Sequence, residues 1–470
     1  MFLAVLLVPF PQLSPDAHRL AAVLALVIVF WITEVVPLPV TALLGPALAV
    51  MLGVAPVATA LAPMANPIVF LFIGSFILAQ ALFVHRVNER IAYTVLSWRL
   101  VGARPTRILV AYGFIAAFLS AWMSNTATAA MLLPVGLSLL AFMETEGKVP
   151  KSYGTALVMM TSYGTSRGGL ATPVGTPPNL IAVGMLATLA GVQVSFLQWM
   201  LFAVPLSLLL LAIVSTFLVY MGGAGGREIP GAEQIINERR RSLGPLRTGE
   251  RNALVAFGVT VALWLGPGIL SLALGAEHPV AARVSAIMPE AVAALSGAVL
   301  LFFLPISKSE RSTLTWQQAA QIDWGTILLF GGGLALGSLA GSTGLAEAVG
   351  RGITGLVPTE SVVALSFAGA LFGVVLSETM SNTAAANIAV PIMIAIALAS
   401  GVSPVAPALS VALAASVADA LPVSTPPNAI VYASGKVPIT KMLQYGIVMD
   451  TMAVLIVPVV VLALTRLVLP

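Results

Sequence analysis

The sequence predicts an all-α polytopic membrane protein built from two inverted repeats, each with a re-entrant hairpin and a broken helix. Three observations predict it. Of the 470 residues, 59% are hydrophobic and 9% charged, and the mean hydropathy is +1.02. The apolar residues fall in runs near the ~20 residues that a helix needs to cross a ~30 Å hydrocarbon core. Short polar motifs inside those runs occur twice, in the same order.

Composition sets the solvent. A soluble chain of this length keeps a large exposed shell that must be mostly polar, so lipid covers most of this surface. The strand alternation of an outer-membrane barrel is absent. The net charge of +4 leaves no nucleic-acid footprint, because Lys and Arg sit in short loops where they set topology. The absence of cysteine excludes disulfides, thiolate metal sites and cysteine nucleophiles. His18, His85 and His278 are too few for a zinc or di-iron site, and no nucleophile–base pattern accompanies them, which argues against a membrane enzyme. Residues 1–10 have no basic region before them and no cleavage site after them, so residues 1–17 read as a short first transmembrane helix rather than a signal.

Apolar segments lie near 1–10, 18–37, 39–54, 67–84, 108–142, 154–190 and 196–222. A second series lies near 252–275, 289–306, 325–341, 361–399, 404–435 and 442–468. This divides the chain into a first repeat over 18–222, a cytoplasmic linker over 223–251 and a second, inverted repeat over 252–470. The linker carries Arg227, Arg239, Arg240, Arg241, Arg247 and Arg251 against four Glu. Arg86, Arg90, Arg99, Arg104 and Arg107 form another basic cluster, with Lys148 and Lys151, then Lys308 and Arg311, further on. Residues 55–66 have no charge. The positive-inside rule then puts the amino end and the linker in the cytoplasm and the carboxyl end outside, with about eleven full crossings plus two hairpins.

The halves repeat. Ser124-Asn125-Thr126 recurs as Ser381-Asn382-Thr383, an offset of 257 (124 to 381). Thr176-Pro177-Pro178-Asn179 recurs as Thr425-Pro426-Pro427-Asn428, an offset of 249 (176 to 425). Phe72-Ile73-Gly74 aligns with Phe330-Gly331-Gly332, an offset of 258 (72 to 330). Five crossings separate the second helix from the linker, and an odd number inverts the second unit in the membrane.

Each Ser-Asn-Thr triplet interrupts an apolar stretch and reads as the tip of a re-entrant hairpin, over 108–142 and 361–399. Irregular backbone at membrane depth is tolerated only against protein or a water-filled cavity. Such a tip exposes the unpaired N–H groups of a helix start beside two hydroxyls and an amide, a place for carboxylate oxygens. Ordinary capping by Ser or Asn is the plainer role for the same residues. The paired prolines break helices at 154–190 and 404–435 and leave upstream carbonyls unpaired, which suits a hard cation such as sodium; a simple kink is the alternative.

The doubled triplets, the Gly175-Thr-Pro-Pro-Asn stretch, Leu421-Pro-Val-Ser-Thr-Pro-Pro-Asn-Ala-Ile-Val, and Trp31-Ile-Thr-Glu-Val-Val-Pro-Leu-Pro-Val-Thr-Ala-Leu-Leu together resemble the divalent anion:sodium symporter family over nearly the whole chain. The resemblance implies the elevator fold of the ion-transporter superfamily, a homodimer in the bacterial-type inner membrane with lipid around it, and a mobile domain that carries dianions. Succinate, fumarate, malate, citrate or sulfate are the implied substrates, and Na+ the coupling ion. By position it implies substrate binding by Ser124, Asn125, Thr126, Thr176, Pro177, Ser381, Asn382, Thr383, Thr425 and Pro426. One sodium falls among Ser120, Ser124, Asn125 and the Gly175 carbonyl, the other among Ser377, Asn382 and the Met380 and Ser424 carbonyls. Ser120 and Ser377 each lie one helical turn before their triplet, which agrees independently.

Arg167 and Asp419 stand where the resemblance leads one to expect apolar residues. Ionisable groups inside membrane helices are costly and functional by default. They pair across the pseudo-twofold, or Arg167 replaces a cation in a sodium-independent exchanger, or both face a polar crevice. Glu378 reads as a structural charge within the second hairpin. A channel fits less well, since inverted broken helices around a midplane site suit alternating access.

Overall fold

The computed structural model describes residues 1–145, 149–223, 225, 228–229, 231–275, 277–307, 311–354 and 360–469. Lys148, Arg227 and Lys308, used above to place the cytoplasm, lie outside them. The first half contains α1 (Phe2–Leu7), α2 (Pro15–Thr33), α3 (Leu38–Met51), α4 (Val57–Leu61), α5 (Pro67–Val84), α6 (Val87–Leu96), α7 (Pro105–Ser120), α8 (Asn125–Thr145), α9 (Lys151–Gly169), α10 (Pro177–Ala190) and α11 (Phe196–Gly222). A linker helix, α12 (Ala232–Ser242), follows. The second half contains α13 (Thr248–Leu274), α14 (Pro279–Ile287), α15 (Glu290–Phe303), α16 (Trp316–Ala319), α17 (Trp324–Ser342), α18 (Leu345–Thr354), α19 (Val362–Thr379), α20 (Asn382–Ala399), α21 (Val405–Ala415), α22 (Pro426–Ala433) and α23 (Ile439–Val468).

Local chemistry sets the boundaries. Ser14, Asn66 and Asp323 accept the N–H of Ala17, Ile68 and Thr326, capping α2, α5 and α17. Ser195 and Gln198 form a capping box at the start of α11. Each Pro-Pro pair occupies the first positions of a new helix, α10 or α22, where a missing N–H costs nothing.

Residues 1–17 do not form a transmembrane helix. They contain the six-residue α1, about 9 Å of rise against a ~30 Å core, and the first turn of α2. Among the described residues nine helices are long and apolar enough to cross, or ten if α14 and α15, bent by 57°, count as one span. Three of the nine, α8, α19 and α20, are hairpin arms. That leaves six, α2, α5, α11, α13, α17 and α23; with the shorter α3, with α15, and with the α9–α10 and α21–α22 pairs each counted as one pass, every half has five. The count of about eleven falls by one because α1 is too short.

The repeats interlock. Helix α5 packs on α15, and its counterpart α17 packs on α3; likewise α10 packs on α20, and α22 on α8. The aligned motifs explain the close approach. A Cβ on Gly74 would meet the Ala294 carbonyl carbon at 2.6 Å, and one on Gly332 the Ala42 carbonyl oxygen at 2.2 Å, so only glycine admits these crossings. Phe72 and Phe330, partners in the sequence repeat, touch each other with ring centroids 5.1 Å apart. Repeat-related residues in mutual contact lie on the pseudo-twofold axis.

Polar contacts sort the loops onto two faces. One face joins Arg90 to Glu250 (3.0 Å), Arg104 to Glu228 (3.3 Å) and Lys436 to Glu144 (2.8 Å). The other joins Ser14 to the Thr343 carbonyl (3.3 Å), Gln198 to the Val468 carbonyl (3.4 Å) and the Phe196 N–H to Glu290 (2.9 Å). The first face carries the linker and both large arginine clusters; α7 and α8 return to it. Helices α19 and α20 return to the other.

Candidate functional site

Ser124 closes the four-residue gap between α7 and α8 while Asn125 and Thr126 open α8, and the second triplet stands likewise at the junction of α19 and α20, with Asn382 and Thr383 opening α20. Each tip leans on a broken helix, interrupted at 170–176 or at 416–425. The contact is made by glycine on the first side. A Cβ on Gly168 would meet the Ala117 carbonyl oxygen at 2.1 Å, and one on Gly169 the Asn125 Oδ1 at 2.5 Å. The Thr172 hydroxyl donates to the Ala121 carbonyl, tying break to tip.

All ten residues expected to hold substrate line a single cavity of about 280 Å³ between the tips. Ser124 and Ser381 do cap: their hydroxyls accept the N–H of Ala127 (3.2 Å) and Ala384 (3.3 Å). A hydroxyl that accepts one bond still has a proton to donate. Among the described residues Thr126, Thr176 and Thr383 find no side-chain hydrogen-bond partner, and the first N–H groups of α8 and α20 point from the helix ends as unpaired donors. Two helix starts from opposite halves thus present donors to one space. That arrangement suits an anion with charge at both ends.

The proposed cation ligands repeat in geometry. The Ser120 hydroxyl donates to Asn125 Oδ1 at 2.5 Å, and the Ser377 hydroxyl to Asn382 Oδ1 at 2.5 Å. Ser120 and Ser377 are fully buried. The carbonyls of Gly175, Met380 and Ser424, all buried, accept no hydrogen bond from any described donor. A buried carbonyl without a partner is costly, and hydroxyl, amide and carbonyl oxygens together suit a hard cation. Neither half-site contains a Lys or Arg.

The broken helices are steadied by residues whose role sequence reasoning missed. Asn179 Nδ2 donates to the Gly169 and Thr172 carbonyls, both at 2.8 Å. Asn428 Nδ2 donates to the Leu421 carbonyl (3.1 Å) and the Ser424 hydroxyl (2.9 Å). So the motif's own asparagine takes up carbonyls at the break, while the Gly175 and Ser424 carbonyls are left without a described donor. The last residue of each Thr-Pro-Pro-Asn motif is therefore a positioning residue, visible in the sequence only as part of the repeat. The cavity also receives Phe76, Asp323 and Thr326. Asp323 directs one oxygen to the Thr326 N–H (3.0 Å) and the other to its hydroxyl (2.5 Å), the cap of α17. An N-cap signal was readable there; its position beside the tips was not.

The buried charges form one cluster. Arg167 ion-pairs with Asp419, and both are almost fully buried. The Arg167 guanidinium also lies over the Tyr163 ring, 5.1 Å from its centroid. The Asp419 N–H donates to Asp450 (2.9 Å), and Glu378 accepts the N–H of Ala420 and Leu421, both at 2.8 Å. Three acids from three helices or breaks therefore hold the 416–425 interruption. Neither Glu378 nor Arg167 lines the cavity.

The chain matches the family described as the sodium:sulfate symporter transmembrane region over residues 1–469. It is 31% identical to the sodium-dependent dicarboxylate transporter SdcS of Staphylococcus saprophyticus, across 98% of this chain and 88% of that protein. It is 30% identical to SdcS of Staphylococcus aureus over the same shares. The solved structure of the Alcanivorax borkumensis YdaH transporter shares the fold, with a TM-score of 0.59, 14% identity, and coverage of 88% of this chain and 87% of that one. The match runs the length of the chain and contains both triplets, both broken helices and the cavity between them: the chain belongs to the sodium:sulfate symporter family, the divalent anion:sodium symporters.

Proposed function

We propose that the protein moves small dianions, C4-dicarboxylates such as succinate, fumarate and malate, or citrate or sulfate, across the bacterial-type inner membrane together with sodium. The observation that carries this is the single cavity lined by both hairpin tips, with an oxygen-lined half-site behind each. Ser124, Asn125, Thr126, Ser381, Asn382 and Thr383, with Thr176, Pro177, Thr425 and Pro426, hold the dianion. One sodium enters the set Ser120, Ser124, Asn125 and Gly175, the other the set Ser377, Met380, Asn382 and Ser424. The similarity to sodium-dependent dicarboxylate transporters supports sodium and dicarboxylate alike. Arg167 is engaged by Asp419 away from the cavity, which favours a sodium ion over a built-in cation and so symport over sodium-independent exchange.

Transport follows an elevator motion in this reading. Helices α7–α11 and α19–α23 travel as one body against α2–α6 and α13–α18, and a second copy docks on the stationary part to form a homodimer. A second cavity of about 500 Å³ adjoins the site and extends past Phe83 and Gln321 toward the linker face, as an inward-open state requires. The arginine clusters put that face in the cytoplasm and the carboxyl end outside. An amino end on the inside would need residues 1–17 to cross, which α1 does not do.

The deciding experiment is uptake of labelled succinate into proteoliposomes under an inward sodium gradient. Uptake is expected to collapse when potassium replaces sodium, and indifference to that exchange removes the symport reading in favour of the exchanger. Succinate uptake is also expected to resist competition by lactate, because a monocarboxylate leaves one helix end without a partner; equal competition by lactate counts against the two-ended site. Gly169→Ala is expected to push the Asn125 amide out of place, at a cost of ~1–3 kcal/mol for overpacking. It should raise the sodium concentration for half-maximal uptake, and an unchanged value would separate Gly169 from the cation site.

A further inference from the structure

Away from the transport cavity, the outer surface of the first half carries two parallel grooves. The larger, about 900 Å³, runs between Arg107, Val110 and Phe114 of α7 and Leu208, Leu211 and Ser215 of α11. The smaller, about 530 Å³, runs along the opposite flank of α11 past Ile213 and Phe217. Ala212 and Thr216 line both, so a ridge of two small residues separates them. The Thr216 hydroxyl donates to the Ala212 carbonyl (2.8 Å), which leaves the ridge apolar toward its surroundings.

The mouth of the grooves lies on the linker face and is basic and aromatic. Trp98 closes the larger groove and is 51% exposed; Tyr220 closes the smaller and is 79% exposed. Exposed Trp and Tyr at the end of apolar helices sit at the headgroup level of a bilayer. Arg107 is braced by a bond to the Leu100 carbonyl (3.2 Å), and Arg240 of α12 reaches Ser97 (3.1 Å), next to Trp98. Arg99 and Arg104 flank them, both exposed. The acids at this rim are Glu228, paired with Arg104, and Glu233, beside Gly102, so four arginines face two carboxylates.

We propose that the paired grooves hold the two acyl chains of one anionic phospholipid from the leaflet of the linker face, with its phosphate at the Arg107 mouth. Two apolar grooves on either side of one ridge, the larger opening at the Arg107 rim, fit a two-chain lipid with an anionic head. Basic pockets between membrane helices on the cytoplasmic side recognise such headgroups. A free phosphate has no use for the grooves, and a zwitterionic lipid gains little from the rim. The position gives the lipid a mechanical role. Residues 97–104 join the surface helix α6 to the first hairpin arm α7, and a lipid seated there bridges that joint to α11.

The test is retention of phosphatidylglycerol against phosphatidylcholine, offered as an equimolar mixture to the purified full-length protein and read by native mass spectrometry. The wild type is expected to retain phosphatidylglycerol in preference. In the doubly substituted R104Q/R107Q protein that preference should fall, each arginine contributing about fivefold. Both positions are exposed, so this variant keeps its fold, as its succinate uptake would register. Ala212→Phe fills the ridge with the rim intact, and is expected to lose retained lipid of either headgroup. Millimolar inorganic phosphate should displace nothing. Equal retention of the two lipids by the wild type overturns the proposal, as does an unchanged preference in R104Q/R107Q. Displacement by phosphate would reassign the rim to a free anion, and full retention by Ala212→Phe would rule out the grooves.

Discussion

Asn125→Ala and Asn382→Ala should each reduce succinate uptake below about 1% of wild type while the protein still elutes as a single folded species. Each amide accepts from the buried Ser120 or Ser377 hydroxyl, and each asparagine lines the cavity. Removing it takes a ligand from the cation half-site and one from the anion together. In Asn125→Ala the buried Ser120 hydroxyl is left without its acceptor, which adds a penalty of ~1–3 kcal/mol to the loss of the ligands themselves. The asparagine–serine contact is the same length in both halves, 2.5 Å, but Ser377 keeps the Ala415 carbonyl (2.8 Å) as a second acceptor, so the added penalty is larger in Asn125→Ala. Initial rates in proteoliposomes measure it. Near-normal uptake by either variant would remove the asparagines from the site.

The second large effect concerns stability. Arg167→Ala or Asp419→Ala should each cost ~3–5 kcal/mol, because removing one partner leaves the other charge buried and unpaired. The double variant should cost less than the two singles added together, with a coupling of ~0.5–3 kcal/mol. Unfolding midpoints in detergent provide the cycle. Asp419 carries the larger share of structural consequences, since its neighbours Ala420 and Leu421 are held by Glu378 and its own N–H by Asp450. Sodium should stay essential in all three variants. If Arg167→Ala instead makes a sodium-indifferent wild type sodium-dependent, Arg167 is the substitute cation of an exchanger.

Much of this was legible without coordinates, for identifiable reasons. The hairpins and breaks follow from polar triplets and proline pairs inside lipid-length apolar runs, and lipid forbids most other conformations there. The order of the duplicated motifs revealed the inverted repeat, and the alternation of arginine clusters ordered the loops. Residues 1–17 misled because apolar composition alone does not set helix length: the Pro9, Pro11 and Ser14 region ends one helix and caps the next before a crossing is complete.

The sequence by itself determined the class of protein, the two halves, and which ten residues stand at the tips and breaks, because each is a local consequence of backbone donors and acceptors in a medium that cannot satisfy them. Only the tertiary structure decided that those ten meet in one cavity, that Asn179 and Asn428 take up carbonyls at the breaks, and that Arg167 reaches Asp419 rather than the cavity. Those outcomes depend on contacts between residues some 250 positions apart in the chain, such as Arg167 with Asp419 and Ser162 with Asn428. Spacing along one helix cannot specify which face of another it will meet; close-packed glycine crossings such as Gly332 on Ala42 fix that.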